Sequence, residues 1–194
     1  DVPVIFLDFY DKELAKDAVI ADNFYGMYLM TGYLFEQGFT KMAYVGSIHA
    51  TSSIMDRYCG FYKAQLEHGQ VLPEEWLIED RDEKGYMDIK LPQHMPEAFV
   101  CNCDLAAGML IQELEKQGYR VPEDISVVGF DNYLYPGVTD KNITSYEVNI
   151  QVMVKVALEK ALKQIKNPDS GRGLSIVSGK IVEKESVQKI CRES

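Results

Sequence analysis

Along the chain, short β-rich apolar runs alternate with longer stretches in which apolar residues recur every three or four positions, a pattern that predicts an α/β fold. Val4-Ile5-Phe6-Leu7 runs into Asp8, and Val19-Ile20-Ala21 runs into Asp22-Asn23. Both are continuous apolar runs, as expected of buried parallel strands. After Asn23, a helix-capping residue type, Phe24, Met27, Met30, Thr31 and Leu34 keep helical spacing until Gly38 supplies a left-handed stop. That helix feeds a strand at Met42-Ala43-Tyr44-Val45. Ser52 and Ser53 are expected to cap the next helix, whose Ile54, Tyr58, Phe61, Tyr62 and Leu66 form one stripe ending near Gly69.

Trp76-Leu77-Ile78 reads as a short strand, and residues 85–91 as a brief helix closed by Pro92. Ala98-Phe99-Val100-Cys101 is the next strand, Asp104 caps a helix reaching Gly118, and Ile125-Ser126-Val127-Val128-Gly129-Phe130 is a buried strand ending at Asp131-Asn132. The final third changes character. A turn-rich loop (Tyr135-Pro136-Gly137) leads to a strand near residues 145–148, then to a helix carrying Val154, Leu158, Ala161 and Ile165 that Asn167-Pro168 ends. Beyond a polar loop at 169–173, Ser175-Ile176-Val177 is expected to pair with Lys180-Ile181-Val182-Glu183 across a Ser178-Gly179 turn, closing the chain on an antiparallel edge.

With 194 residues, 46% of them apolar, the chain can form one large domain or two small ones around a real core. No apolar run approaches the ~18 residues of a membrane span, and Asp1-Val2-Pro3 does not start a signal peptide, so no membrane partner is expected. Twenty basic against thirty acidic side chains leave a net charge of −10, which repels phosphate backbones and disfavours nucleic-acid binding by these residues themselves. The four cysteines, Cys59, Cys101, Cys103 and Cys191, are too few and too irregular for a disulfide framework and fit a reducing cytoplasm.

In open parallel sheets the residues following each strand converge on one crevice, and here they are polar: Asp22-Asn23, Gly46-Ser47, Asn102-Cys103-Asp104 and Asp131-Asn132. Each either caps its following helix or faces a ligand. Arg57, placed in the first turn of its helix against an unfavourable dipole, either forks onto an oxygen-rich guest or pairs with an acid such as Asp56. Cys101 and Cys103 share a strand face with no nearby His, short of the four ligands zinc needs. His49, His68 and His94 are not spaced to activate a thiol. Nucleophile-elbow, phosphate-loop and dinucleotide fingerprints are absent from the sequence, so no enzyme activity, cofactor or metal is expected.

The segment Tyr119-Arg120-Val121-Pro122-Glu123-Asp124-Ile125-Ser126-Val127-Val128-Gly129-Phe130-Asp131-Asn132 closely resembles a signature of the LacI/GalR family of transcriptional regulators. Val2 to Asp8, Asp22-Asn23, Gly38-Phe39, the Met42 to Gly46 strand, Ser52-Ser53 with Arg57 and Gly60-Phe61, and Val182-Glu183-Lys184-Glu185-Ser186 match in order and spacing. The resemblance implies a periplasmic-binding-protein-like α/β core: two parallel-sheet subdomains around a ligand cleft, the N-terminal subdomain incomplete. The helix-turn-helix domain would lie outside these residues. Residues 1–38, with 149–165 crossing back, would belong to the N-terminal subdomain, and 39–148 with 166–194 to the C-terminal one.

By the same resemblance Arg57 and Asp131 would bond ligand hydroxyls. Cys103 stands where the family usually has Asn, so either Asn102 takes over that contact or the ligand differs from a typical sugar. Tyr86 would present a ring to a sugar face, with Phe24 and Tyr25 on the opposite wall, unless these are ordinary core or rim aromatics. The resemblance implies a cytoplasmic, homodimeric regulator that senses a small polar effector, a sugar or sugar derivative, and controls operator DNA allosterically. A solute-binding protein of a transport system shares the fold and is the alternative.

Overall fold

The structure is a computed structural model that describes residues 2–11, 17–168, 170 and 173–191. Its chain order is β1 (Phe6–Leu7), β2 (Ala18–Ala21), α1 (Asn23–Glu36), β3 (Met42–Val45), α2 (Ser52–Glu67), a 3-10 turn (Glu74–Trp76), β4 (Leu77–Ile78) and β5 (Ala98–Cys101). There follow α3 (Asp104–Lys116), β6 (Ser126–Asp131), β7 (Thr144–Glu147), α4 (Ile150–Lys166), β8 (Leu174–Val177) and β9 (Lys180–Val182). Of the polar loop expected at 169–173, Asp169, Gly171 and Arg172 lie outside the described residues.

Two sheets form. The larger runs β4-β3-β5-β6-β7-β9, parallel throughout except for the antiparallel β9 at its edge, and the smaller is an all-parallel β1-β2-β8. Strands β3 and β5 are buried along their whole length because helices cover both faces of the larger sheet. Tyr44, Val100 and Val128 pack with Met27, Met30 and Phe61 from α1 and α2, whereas Val45, Phe99 and Val127 pack with Leu110, Ile111 and Leu114 from α3. Gly60 lets α2 approach α1 closely, since a Cβ there would overlap the Phe24 carbonyl oxygen.

The chain passes between the sheets after β2, after β7 and after β8. Tyr146 sits at this junction: its hydroxyl accepts the Gly179 N–H at 2.7 Å, and a Cβ on Gly26 would come within 2.7 Å of its ring. In the smaller sheet, buried Asp17 accepts from Lys160 Nζ at 3.0 Å and from the Gly173 N–H at 2.9 Å, and also from Gln164, tying α4 to the sheet.

Several expectations are corrected. Leu174–Val177 does not pair with Lys180–Val182; β8 joins β2 in parallel while β9 joins β7, so the Ser178-Gly179 link is a crossing between sheets. The sheets therefore divide the chain differently from the 1–38 and 166–194 boundaries, because α1 packs on α2 and the larger sheet, and β8 belongs to the smaller. Residues 85–91 form no helix; an isolated Arg81–Met87 bridge shapes that loop. The cap of α2 is Thr51, whose hydroxyl accepts the Ile54 N–H at 3.2 Å, and Arg57 lies in the second turn of the helix. Cys103 occupies the cap position of α3, leaving Asp104 as its first helical residue.

Candidate functional site

The C-terminal ends of β1 and β6 meet the start of α4 around a hollow of about 310 Å³, lined by Leu7, Asp8, Asp131, Tyr133, Tyr135, Val148, Ile150 and Met153. Strand direction explains the convergence, since parallel strands deliver their following residues to the same edge. At that edge Asp8, Asp131 and Asn132 adopt φ of 70°, 101° and 54°. Left-handed backbone at three non-glycine positions is strain of the kind that persists where surrounding structure holds a site in shape.

Beneath the hollow lies Arg57, 5% exposed. Its Nε donates to Asn23 Oδ1 at 2.7 Å, one terminal nitrogen donates to the Asn102 carbonyl at 2.8 Å, and the other stands 3.5 Å from Asp131 Oδ1. The guanidinium also lies over the Phe130 ring, 4.0 Å from its centroid. A planar cation with one face stacked and three edges engaged is fixed in orientation. The amide nitrogen of Asn23, although buried, has no partner.

Burial pushes the Asp131 carboxyl up to about 6, with Arg57 pulling it down and Asp8 pushing it up. Burial likewise raises Asp8, opposed by Arg57 and the Ala21 backbone N–H. The Cys103 thiol is raised to about 11, chiefly by burial, with the Ala106 backbone N–H opposing. A thiol so protonated is a weak hydrogen-bonding partner and a poor nucleophile. Asp104 is pushed by burial up to about 7; its oxygens accept the Ser145 hydroxyl and the Tyr133 N–H, both at 2.7 Å, so it pins the loop after β6 instead of facing the hollow.

The structure thus brings Arg57 and Asp131 together, with Cys103 next in the chain to the carbonyl that holds Arg57 but outside the lining of the hollow. Asn102 joins them through its carbonyl only. Its side chain is 1% exposed and donates to Asp80 Oδ2 at 2.7 Å, so it does not take over a ligand contact in place of Cys103. Tyr86, 71% exposed, sits in a turn where its N–H donates to Asp82 Oδ1, and it does not line the hollow. Phe24 and Tyr25 are half-exposed in the first turn of α1 and do not line it either. A larger recess of about 660 Å³ between Glu75 and Pro92 touches neither Arg57 nor Asp131 and is mostly lined by charged side chains.

Two residues escaped the sequence reading. Asp8 was visible as the residue ending a strand, the same signal that singled out Asp131. Asp80, 0% exposed, follows β4 and accepts the Ser47 N–H at 2.9 Å as well as the Asn102 amide, bracing the ends of β3 and β5. Ser52 and Ser53 have another use: Ser53 donates to the Asp8 carbonyl at 2.5 Å, and Ser52 to that of Tyr10 at 3.3 Å, joining α2 to the segment after β1.

Among the described residues no group of His, Cys, Asp and Glu could hold a metal ion, and no helix is long and apolar enough to cross a membrane. Residues 31–187 match the periplasmic binding protein-like domain family. The HTH-type transcriptional repressor PurR of Vibrio vulnificus (strain CMCP6) is 29% identical over 195 residues, 98% of this chain and 58% of that repressor. The chain thus spans a little over half the length of the curated relatives it matches. A LacI-type transcriptional regulator from Bacillus cereus subsp. cytotoxis NVH 391-98 shares the fold with a TM-score of 0.80 at 22% identity, over 96% of this chain and 69% of that one. A LacI family regulator from Enterococcus faecium, determined with bound ribose, gives 0.79 at 21% identity, over 97% and 72%. The chain belongs to the periplasmic binding protein-like domain family.

Proposed function

We propose that the hollow between the two sheets binds a small polar effector, a sugar or sugar derivative, and that its occupancy sets the relative orientation of the sheets. In the whole protein, a cytoplasmic homodimer acting as a repressor, that orientation governs how an attached helix-turn-helix domain holds operator DNA. The function is binding without turnover. Allostery of this kind requires only that the effector prefer one orientation, and a guest touching Asp8 on one sheet and Asp131 on the other meets that condition.

The observation carrying the reading is the convergence of Asp131 and Asp8 on one hollow from two sheets, with Arg57 set against Asp131. The bound ribose of the Enterococcus faecium regulator supports a sugar, whereas the PurR relatives favour a purine-related guest, so both classes belong in the test. Calorimetry with monosaccharides and purine bases should find a ligand; Asp131→Ala should weaken it by roughly 10- to 100-fold, the loss of one charged hydrogen bond, and Arg57→Ala should weaken it too by releasing Asp131 and the Asn102 carbonyl from the guanidinium that holds them. Unchanged affinity in both variants, each still folded by circular dichroism, refutes the assignment.

A further inference from the structure

The charge of the site narrows its guest. Among the described residues, Asp8 and Asp131 are the only charged side chains lining the hollow, and none presents a cation to it. Arg57, the one guanidinium beneath, is committed to Asn23, Asn102 and Asp131 and stacked on Phe130. Lys141 and Lys184 lie beyond the Tyr133-Tyr135 loop, on a separate hollow of about 100 Å³, and Lys184 Nζ donates to Asn132 Oδ1 at 2.6 Å.

The start of α4, which contributes Ile150 and Met153 to the wall, is the other feature that could attract an anion. Three of its N–H groups are taken: Ile150 donates to the Val148 carbonyl, Val152 to the Asn149 side chain and Met153 to the Asn149 carbonyl. The unpartnered Asn23 amide is 1% exposed and does not reach the lining. What the wall offers is acceptors. The Arg57–Asp131 contact, at 3.5 Å, is too long to saturate that carboxylate, so its lone pairs need donors from elsewhere.

Resting on the effector reading above, we infer that the hollow takes an unphosphorylated guest rich in hydrogen-bond donors, neutral or amine-bearing, and rejects the phosphate ester of the same molecule. A phosphate would sit against two carboxylates in a partly water-excluded space, with no cation among the described lining residues to neutralise it. Hydroxyl and ammonium donors meet those carboxylates directly.

Matched pairs test the inference by calorimetry: ribose with ribose 5-phosphate, glucosamine with glucosamine 6-phosphate, and adenine with adenosine 5′-monophosphate. In any pair that binds, the unphosphorylated member should be tighter by roughly a hundredfold, and Asp8→Asn and Asp131→Asn should each shrink that ratio by about tenfold. Scoring the ratio keeps a general weakening of a variant from imitating the effect. Equal or tighter binding of a phosphorylated member, or a ratio unmoved in both variants, overturns the charge selection. Binding confined to the adenine pair with the ratio intact removes the sugar and leaves the selection standing. Silence from all three pairs overturns both.

Discussion

Replacing Asp80 by alanine tests whether the site rests on its buried brace. Asp80 is 0% exposed and its two oxygens hold the Ser47 N–H and the Asn102 side-chain amide, at 2.9 and 2.7 Å, with Arg81 Nε 3.7 Å away. Asp80→Ala leaves both donors without an acceptor in a region closed to solvent. Each such donor costs about 1–3 kcal/mol, so the pair costs roughly 3 kcal/mol. At about 2–4 °C per kcal/mol for a chain of this size, Tm falls by roughly 6–12 °C. Asp80→Asn keeps one acceptor and should lose about half as much. Because the Asn102 carbonyl holds Arg57, ligand affinity should drop as well, by about tenfold. Thermal unfolding followed by far-ultraviolet circular dichroism reads the first effect and calorimetry the second. A Tm for Asp80→Ala within about 1 °C of the parent would refute the reasoning, since no surface acid of this chain is asked to carry that much.

Stability should also depend on pH in an unusual direction. Burial raises Asp104 to about 7 and Asp131 to about 6 from 3.8, so between roughly pH 4 and 7 the folded state holds more protons than the unfolded one. These groups therefore add stability as pH falls through that window and withdraw it as pH rises, and Tm should climb on acidification from about pH 8 to about pH 5. Exposed carboxylates with lowered values, such as Asp124 at about 2, act in the opposite sense only at more acid pH. Asp104→Asn should flatten the Tm–pH curve, and an unchanged slope would remove Asp104 from the account. Gly60→Ala forces a Cβ onto the Phe24 carbonyl oxygen and should cost about 1–3 kcal/mol by pushing α1 off α2, read as a lower guanidinium midpoint with an unchanged m-value.

How much of the fold was legible follows from what each pattern encodes. Apolar runs such as 98–101 and 125–130 marked strands because burial on both faces leaves no polar alternation, and the structure places β5 and β6 there. The error at 175–182 has the same root. Two short apolar runs separated by Ser178-Gly179 look like a hairpin locally, yet Gly179 is needed for a close crossing, where a Cβ would overlap the Glu147 carbonyl oxygen. Pairing partners are a tertiary fact, and the spacing of 175–182 carries no trace of β2 or β7. The 85–91 stretch failed differently: its apolar residues suggested a turn of helix, but Asp82 captures the Lys84 and Tyr86 N–H groups, and a short acidic turn wins over a helix too brief to nucleate.

For the site, strand-end logic located the edge but not which side chains turn inward. Asp131, Asp104 and Asn102 all follow strands and look alike in sequence. Only Asp131 faces the hollow, because Ser145 and the Tyr133 N–H claim Asp104 while Asp80 claims Asn102. Those partners lie 22 to 41 residues away, and no spacing rule links them. The one-residue substitution of Cys103 for the family's usual Asn is subject to the same limit. Cys103 itself lies outside the lining and Asn102 is locked onto Asp80, so among the described residues the two carboxylates Asp8 and Asp131 weigh most heavily in choosing what enters.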